Sequence, residues 1–296
     1  LFGPILIKDS VKKRVSSKVW GVLFCCSVTT AIHIEVTESY STDSFIQALK
    51  RFMNLRNTPA TIISDPGTQL MSAAIKLGDW DWNKIKEAGK GEVEWKFVPT
   101  DSQHYNGLCE ALIKQTKKQL ADAIKVGSFT KGELDTIFSD VMYIINSRPL
   151  AARAGEDPLS GGPITPLHLL GARGTLSVPR MKYDENPSPN KRLAFLESVV
   201  DDWWKKWFAQ VFHNLVPCKK WTKEHRDVKV GDVVLLKDSN LLKREYRLAR
   251  VTEVKPSIDD HARRILLQYK THPHDTIFKT TERSIQNIIV IVPNDE

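Results

Sequence analysis

Apolar residues come in short runs over the first forty positions. The stretches 4-PILIKD-9, 18-KVWGVLFCCSVTT-30 and 31-AIHIEVTES-39 are rich in β-branched and aromatic residues and predict three strands, the second and third abutting as an antiparallel pair does. The period then changes. In 41-STDSFIQALKRFMNLRN-57, Phe45, Leu49, Phe52 and Leu55 recur at helical spacing behind a Ser or Thr N-cap, which predicts an amphipathic helix. A short strand follows at 59-PATIIS-64, a helix opens at 70-LMSAAIKLG-78 with its course over 79–92 undetermined, and 93-VEWKFVP-99 is a further strand. After the polar stretch 100–107, Leu112, Thr116, Leu120 and Ile124 form the inward stripe of a helix over 108–127 that Gly127 stops. Another helix over 130–149 ends at Pro149. Strands in a block, then helices alternating with strands, predict an α/β fold in which a mixed sheet is covered by helices.

From Leu150 the texture shifts to Gly/Pro-rich connectors at 151–166 and 173–192, followed by a Trp-rich helix over 193–215. Short strands at 228-VKVGDVVLLKD-238, 246-YRLARVTEVKP-256 and 263-RRILLQYKT-271 have the even spacing of a small β-barrel. The expected division is a core over 1–155, a linker with the Trp-rich helix over 156–222, and the barrel over 223–296.

Composition narrows the function classes. At 296 residues and 41% apolar the chain can bury a full core, which excludes wholesale disorder. An excess of 43 Lys+Arg over 35 Asp+Glu, net +8, suits a polyanionic partner such as nucleic acid and equally suits a soluble basic surface. Cys25, Cys26, Cys109 and Cys218 have no spacing of a disulfide frame or zinc site, so a reducing intracellular compartment fits best. The longest apolar run, 19–36, carries Ser, Thr, His and Glu and reads as two strands, so no membrane partner is expected. The opening 1-LFGPILIKDS-10 starts inside a strand without Met, the pattern of a fragment.

Two carboxylates stand out. Asp65 follows a predicted strand and Glu110 stands near the start of a helix, 45 positions later. Acids at strand ends and a helix start, converging on one sheet edge, can hold divalent cations that activate a nucleophile and stabilise a leaving oxygen on phosphorus. Taken singly, each has a plainer role: Asp before Pro-Gly forms turns, and Glu in a first helical turn suits the helix dipole. Lys114 and Lys117, at i+4 and i+7 from Glu110, share its helix face, with Lys118 beside them. That row is either a solvated staple or a track for a phosphate backbone. Before it, Ser102, Gln103, His104 and Tyr105 either contact a strand end or form an ordinary polar loop.

The ordered series 3-GPILIKD-9, 19-VWGVLFCCSVTTAIHIEV-36, 42-TDSFIQALKRF-52, 63-ISDPGTQL-70, 104-HYNGLCEALIKQTKKQL-120, 146-NSRPL-150 and 165-TPLHLL-170 resembles the integrase of BEL/Pao-type retrotransposons. The resemblance extends past the core, because 228-VKVGDVVLLKD-238 and 246-YRLARVTEVKP-256 look like the small C-terminal domain that follows it in those polyproteins. It implies an RNase H-like five-stranded mixed sheet flanked by helices, a helical linker and a small SH3-like barrel. It implies a DDE acid triad with two Mg²⁺ or Mn²⁺ ions, in which Asp65 matches the second acid and Glu110 the third. The first acid falls one residue before Leu1, and Asp9, at the far end of the first strand, does not match it. Pro66, Asn106, Cys109 and Tyr246 depart from the residues usual in the family.

By the same resemblance, the full-length protein removes nucleotides from the 3′ end of the element's DNA and joins that end to target DNA. Lys114, Lys117, Lys118, Gln103, His104 and Tyr105 would contact DNA, a homo-oligomer would assemble on two DNA ends, and the expected locations are the nucleus and a cytoplasmic virus-like particle. With two acids of three, the chain from Leu1 is expected to be inactive by itself. Two alternatives stay open: a non-catalytic DNA-binding module derived from an integrase, and an RNase H-like nuclease without strand transfer. The residues 219–255 carry eleven Lys/Arg against six Asp/Glu, which suits phosphate contact or a solvated barrel face alike. Trp203, Trp204 and Trp207, with Phe208 and Phe212, read as a packing or oligomer surface in preference to a stacking platform for bases.

Overall fold

The computed structural model describes residues 1–9, 16–79, 93–98, 107–125, 127–151, 157, 159, 163–171, 191–215, 227–237, 246–256, 262–271 and 275–294. The chain forms two compact units, Leu1–Met142 and Tyr143–Glu296.

In the first unit, β1 (Phe2–Lys8), β2 (Ser16–Cys25) and β3 (Ile32–Thr37) form an antiparallel sheet in that order. Ile5 pairs with Val19, and Cys25 with Ile32. The apolar run predicted as two abutting strands is divided by a turn, because an antiparallel pair has to reverse direction. Cys26 N–H donates to Ala31 O at 2.8 Å, and Thr30 takes φ of 53° to close the turn. Gly21 is required by a close approach: a Cβ there would lie 2.2 Å from the Phe2 ring.

Helix α1 (Thr42–Arg56) starts at Ser41, whose hydroxyl accepts the Ser44 N–H at 3.2 Å. Its buried residues are Phe45, Ala48, Leu49 and Met53, so the inward stripe is rotated from the predicted one. Leu55, placed on that stripe by spacing, is 67% exposed. Strand β4 (Thr61–Ser64), helix α2 (Thr68–Gly78) and strand β5 (Glu94–Phe97) follow, β4 and β5 pairing parallel with Ile62 opposite Trp95. The five strands expected in one mixed sheet are hydrogen-bonded as a set of three and a set of two among the described residues. They share a core, since Val22 of β2, the inward residues of α1, and Ala73 and Leu77 of α2 pack with Leu1, Phe24, Ile62 and Trp95.

Helix α3 (Gly107–Ile124) buries Leu112, Thr116, Leu120 and Ile124, the stripe that spacing predicts. Helix α4 (Lys131–Asn146) begins with a reciprocal cap: the Glu133 N–H donates to the Thr130 hydroxyl at 3.3 Å, and the Glu133 carboxylate accepts the Thr130 N–H at 2.8 Å. The division between the units falls within α4.

The second unit holds the last turn of α4, a short helix α5 (Pro166–Leu169), the long helix α6 (Lys191–Leu215) and a five-stranded sheet. Trp203, Trp204 and Trp207 are 0–2% exposed, and Phe208 is buried beside them; the Phe212 side chain lies outside the described residues. Base stacking needs an open ring face, so these rings serve packing. Tyr246 meets Trp204 edge-on at 5.2 Å, and its hydroxyl donates to Ile144 O at 3.1 Å. Desolvation pushes that phenol's pKa far above its usual value.

The sheet contains β6 (Val233–Leu236), β7 (Leu248–Pro256) and β8 (Ala262–Tyr269), as the spacing predicts, and two strands that it does not: β9 (Lys279–Ser284) and β10 (Ile288–Val292). All neighbours are antiparallel, in the order β10-β6-β7-β8-β9. Register shifts along β7 bend the sheet around Val234, Leu236, Val251, Ile265, Leu267 and Ile288.

Candidate functional site

The short parallel pair β4–β5 delivers Asp65. Val98 N–H donates to Ser64 O at 3.0 Å, the Trp95 indole N–H donates to the Ser64 hydroxyl at 2.9 Å, and that hydroxyl donates to Asp65 O at 3.1 Å. These bonds fix the backbone at the strand end and leave the carboxylate out of the network. The first bond of helix α2 runs from Met71 N–H to Gly67 O, and the segment between strand and helix is three residues long. An Asp that served the turn would bond its own backbone two residues on. Among the described residues the exposed Asp65 carboxylate makes no such bond.

What it faces is charge. The Lys117 ammonium and the Leu1 amino group are both within electrostatic reach of Asp65. Burial lowers the Lys117 pKa, and the pull of Asp65 only partly offsets this. Leu1, at the start of β1, lies within electrostatic reach of both Asp65 and Lys117. The start of β1, the end of β4 and the middle of α3 therefore meet at one place.

On α3, Glu110, Lys114 and Lys117 fall within an arc of about 60°, opposite the buried Leu112 and Gln119. Glu110, Lys114 and Lys118 are exposed, and Lys117 is half-buried. The Glu110–Lys114 staple that spacing allows is not formed among the described residues. Glu110 and Lys117 are seven residues apart, about 10 Å along the helix. The structure thus brings Asp65 within electrostatic reach of Lys117, which shares a helix face with Glu110. Among the described residues no three His, Cys, Asp or Glu side chains gather as a metal group. Gln103, His104 and Tyr105 lie outside the described residues.

In the second unit, part of the basic excess is already neutralised: Arg250 pairs with Asp157, and Lys255 and Arg264 lie 3.1 and 3.8 Å from Glu282. Asp232 of the 228-VKVGDVVLLKD-238 block is fully buried and structural. Its carboxylate accepts the Lys229 and Asn294 N–H groups at 2.9 and 2.7 Å, beside Gly231 at φ 94°. Sequence spacing missed one further cluster entirely: Cys25 and Cys109, 84 positions apart, have Sγ atoms 2.7 Å from each other. Among the described residues no helix is long and apolar enough to cross a membrane.

Residues 191–291 match the model of a family of unknown function, DUF5641. No curated protein matches the chain. Among solved structures, the chain is similar to a simian T-cell lymphotropic virus intasome in complex with PP2A regulatory subunit B56 gamma, with 11% identity over 95% of this chain and 74% of that one and a TM-score of 0.34. It is also similar to the HTLV-2 integrase catalytic core domain in complex with magnesium, in a trimeric form, with 12% identity over 51% of this chain and 86% of that one and a TM-score of 0.31. Both neighbours are retroviral integrases, at scores too low to equate the folds.

Proposed function

We propose that this chain is the catalytic and DNA-binding part of a BEL/Pao-type retrotransposon integrase. The ordered sequence blocks support the reading, and one structural observation carries it: an exposed Asp65 carboxylate, outside its own turn's hydrogen bonds, faces the half-buried Lys117 on the helix face that bears Glu110. On this reading residues 1–155 are an RNase H-like core, 156–222 a linker and 223–296 an SH3-like barrel. The active form is a homo-oligomer on two DNA ends, working in the nucleus after assembly in a cytoplasmic virus-like particle.

Asp65 and Glu110 offer hard, anionic, exposed oxygen donors, which fit Mg²⁺ or Mn²⁺. Such ions, when bound, make water and a 3′-hydroxyl better nucleophiles and neutralise the leaving oxygen of an in-line displacement at phosphorus. The protein's own part is positioning. The network through Ser64 and Trp95 fixes where Asp65 leaves the sheet. Lys117 has already lost part of its hydration, so a phosphate oxygen replaces water there at reduced cost. Lys114 and Lys118, exposed on the same side, extend the contact along the backbone. The second reading is a DNA-binding module without catalysis, which the exposed Lys114 and Lys118 would serve equally well.

A divalent-metal assay on labelled duplex ends separates the readings, using the protein with Asp, or with Asn, added directly before Leu1. Joining of the end to target DNA with Asp and not with Asn supports the integrase. Cleavage without joining supports a nuclease, and binding with neither supports the module. Equal activity from the Asp and Asn forms would refute the assignment of the first acid.

A further inference from the structure

The turn after β2 gathers sulfur next to α3. Cys25 ends β2 on the face that also carries Val19 and Gly21, and Cys109 is buried in the first turn of α3, directly before Glu110. The Cys25 thiol donates to the Cys109 sulfur at 2.7 Å, and the Cys109 thiol donates to the Cys26 carbonyl at 3.3 Å. Both residues are thiols, with no disulfide between them. A disulfide needs about 2.05 Å between sulfurs, so bond formation asks for a movement of roughly 0.7 Å, within side-chain adjustment and without rebuilding the backbone. Cys25 is partly exposed and reachable by a small oxidant, whereas Cys109 is enclosed.

We propose that Cys25 and Cys109 are a modification site, joined as a reversible disulfide when a hydroperoxide oxidises the protein. The Cys25 thiolate attacks the terminal peroxide oxygen, the O–O bond breaks, and Cys25 becomes a sulfenic acid while the alkoxide, or hydroxide from hydrogen peroxide, leaves and takes a proton. The Cys109 sulfur then attacks the Cys25 sulfur. The S–O bond breaks, its oxygen leaves as water with the Cys109 proton, and the S–S bond closes. Two thiols lose two electrons and two protons, and one hydroperoxide is reduced to water and its alcohol, or to two waters from hydrogen peroxide. In a reducing compartment the bond is transient and thiol reductants reverse it. It ties the first turn of α3, and with it the backbone of Glu110, to the end of β2. The bond does not rest on the integrase reading; only its effect on chemistry at Glu110 does.

The test treats the whole chain with a small excess of hydrogen peroxide, blocks remaining thiols with iodoacetamide, and maps peptides by mass spectrometry with and without reduction. A Cys25–Cys109 cross-link two hydrogens lighter than the two separate peptides, reversed by reduction and retained in C26S, is the expected result. It should come with a rise of about 5 °C in Tm that C109S abolishes. Alkylated Cys109 in the oxidised protein, or Cys109 joined to Cys26 or Cys218, would overturn the proposal. So would a cross-link that vanishes in C26S while that variant keeps the native Tm under reducing conditions.

Discussion

The Lys117 ammonium is half-buried, and desolvation outweighs the attraction of Asp65. A lysine whose pKa is lowered on folding holds its proton less tightly folded than unfolded. Its charge therefore costs stability at neutral pH, and that cost fades as pH rises through the folded value toward the unfolded 10.5. Lys117→Met should raise Tm at pH 7 and weaken DNA binding, opposite signs that calorimetry and fluorescence anisotropy read separately. A lysine kept only for packing would lose stability and leave binding unchanged.

Glu35 gives the acid-side prediction. Burial pushes its carboxyl up, but hydrogen bonds from His33 and Arg51, at 2.8 and 2.6 Å, outweigh that and the net pKa is lowered from 4.5. Its stabilisation is present above the unfolded pKa and is lost as pH falls through the lower folded value. Glu35→Gln should flatten the fall in stability below about pH 5. An unchanged pH profile in urea titrations would remove Glu35 from the acid response.

At the level of elements, energies follow what each side chain touches. Leu120 is fully buried on α3, so Leu120→Ala should cost about 2–5 kcal/mol in urea unfolding. Asp232 is fully buried, and its carboxylate accepts two backbone N–H groups. Asp232→Ala should cost about 3 kcal/mol by leaving those donors unpaired, seen as a lower urea midpoint for the second unit. The inward stripe of α3 was legible because Leu112, Thr116, Leu120 and Ile124 keep a strict helical step. In α1 the step pointed to Leu55, but Ala48 and Met53 fill the core instead, since a small residue lets the helix approach and a flexible one fills the remaining gap. Strand β9 was hidden because 279-KTTERS-284 is an edge strand at one end of the order and carries polar residues on both faces. The Cys25–Cys109 approach had no local sign at all, since it depends on how α3 packs on β2.

For the whole molecule, the candidate site is a product of chain crossings. Asp65 was legible as a strand-end acid and Lys117 as part of a face, but only the packing of β1, β4 and α3 puts the two within electrostatic reach. If the chain binds DNA as proposed, its net charge of +8 makes that affinity salt-dependent. The site-specific part is the lysine row. Replacing Lys114 and Lys118 with Gln should lower the slope of log K against log salt by about 0.9 for each phosphate that is no longer neutralised. An unchanged slope would move the DNA surface elsewhere.

On the proposed reading, catalysis requires Asp65 and Glu110 to share a divalent cation, and Mn²⁺ binding followed by the free-ion paramagnetic resonance signal tests that most directly. Asp65→Asn and Glu110→Gln should each abolish the tightest binding, and the double variant should bind no worse than either alone, because both remove one site. Independent, additive losses, or full binding by either single variant, would contradict a shared site.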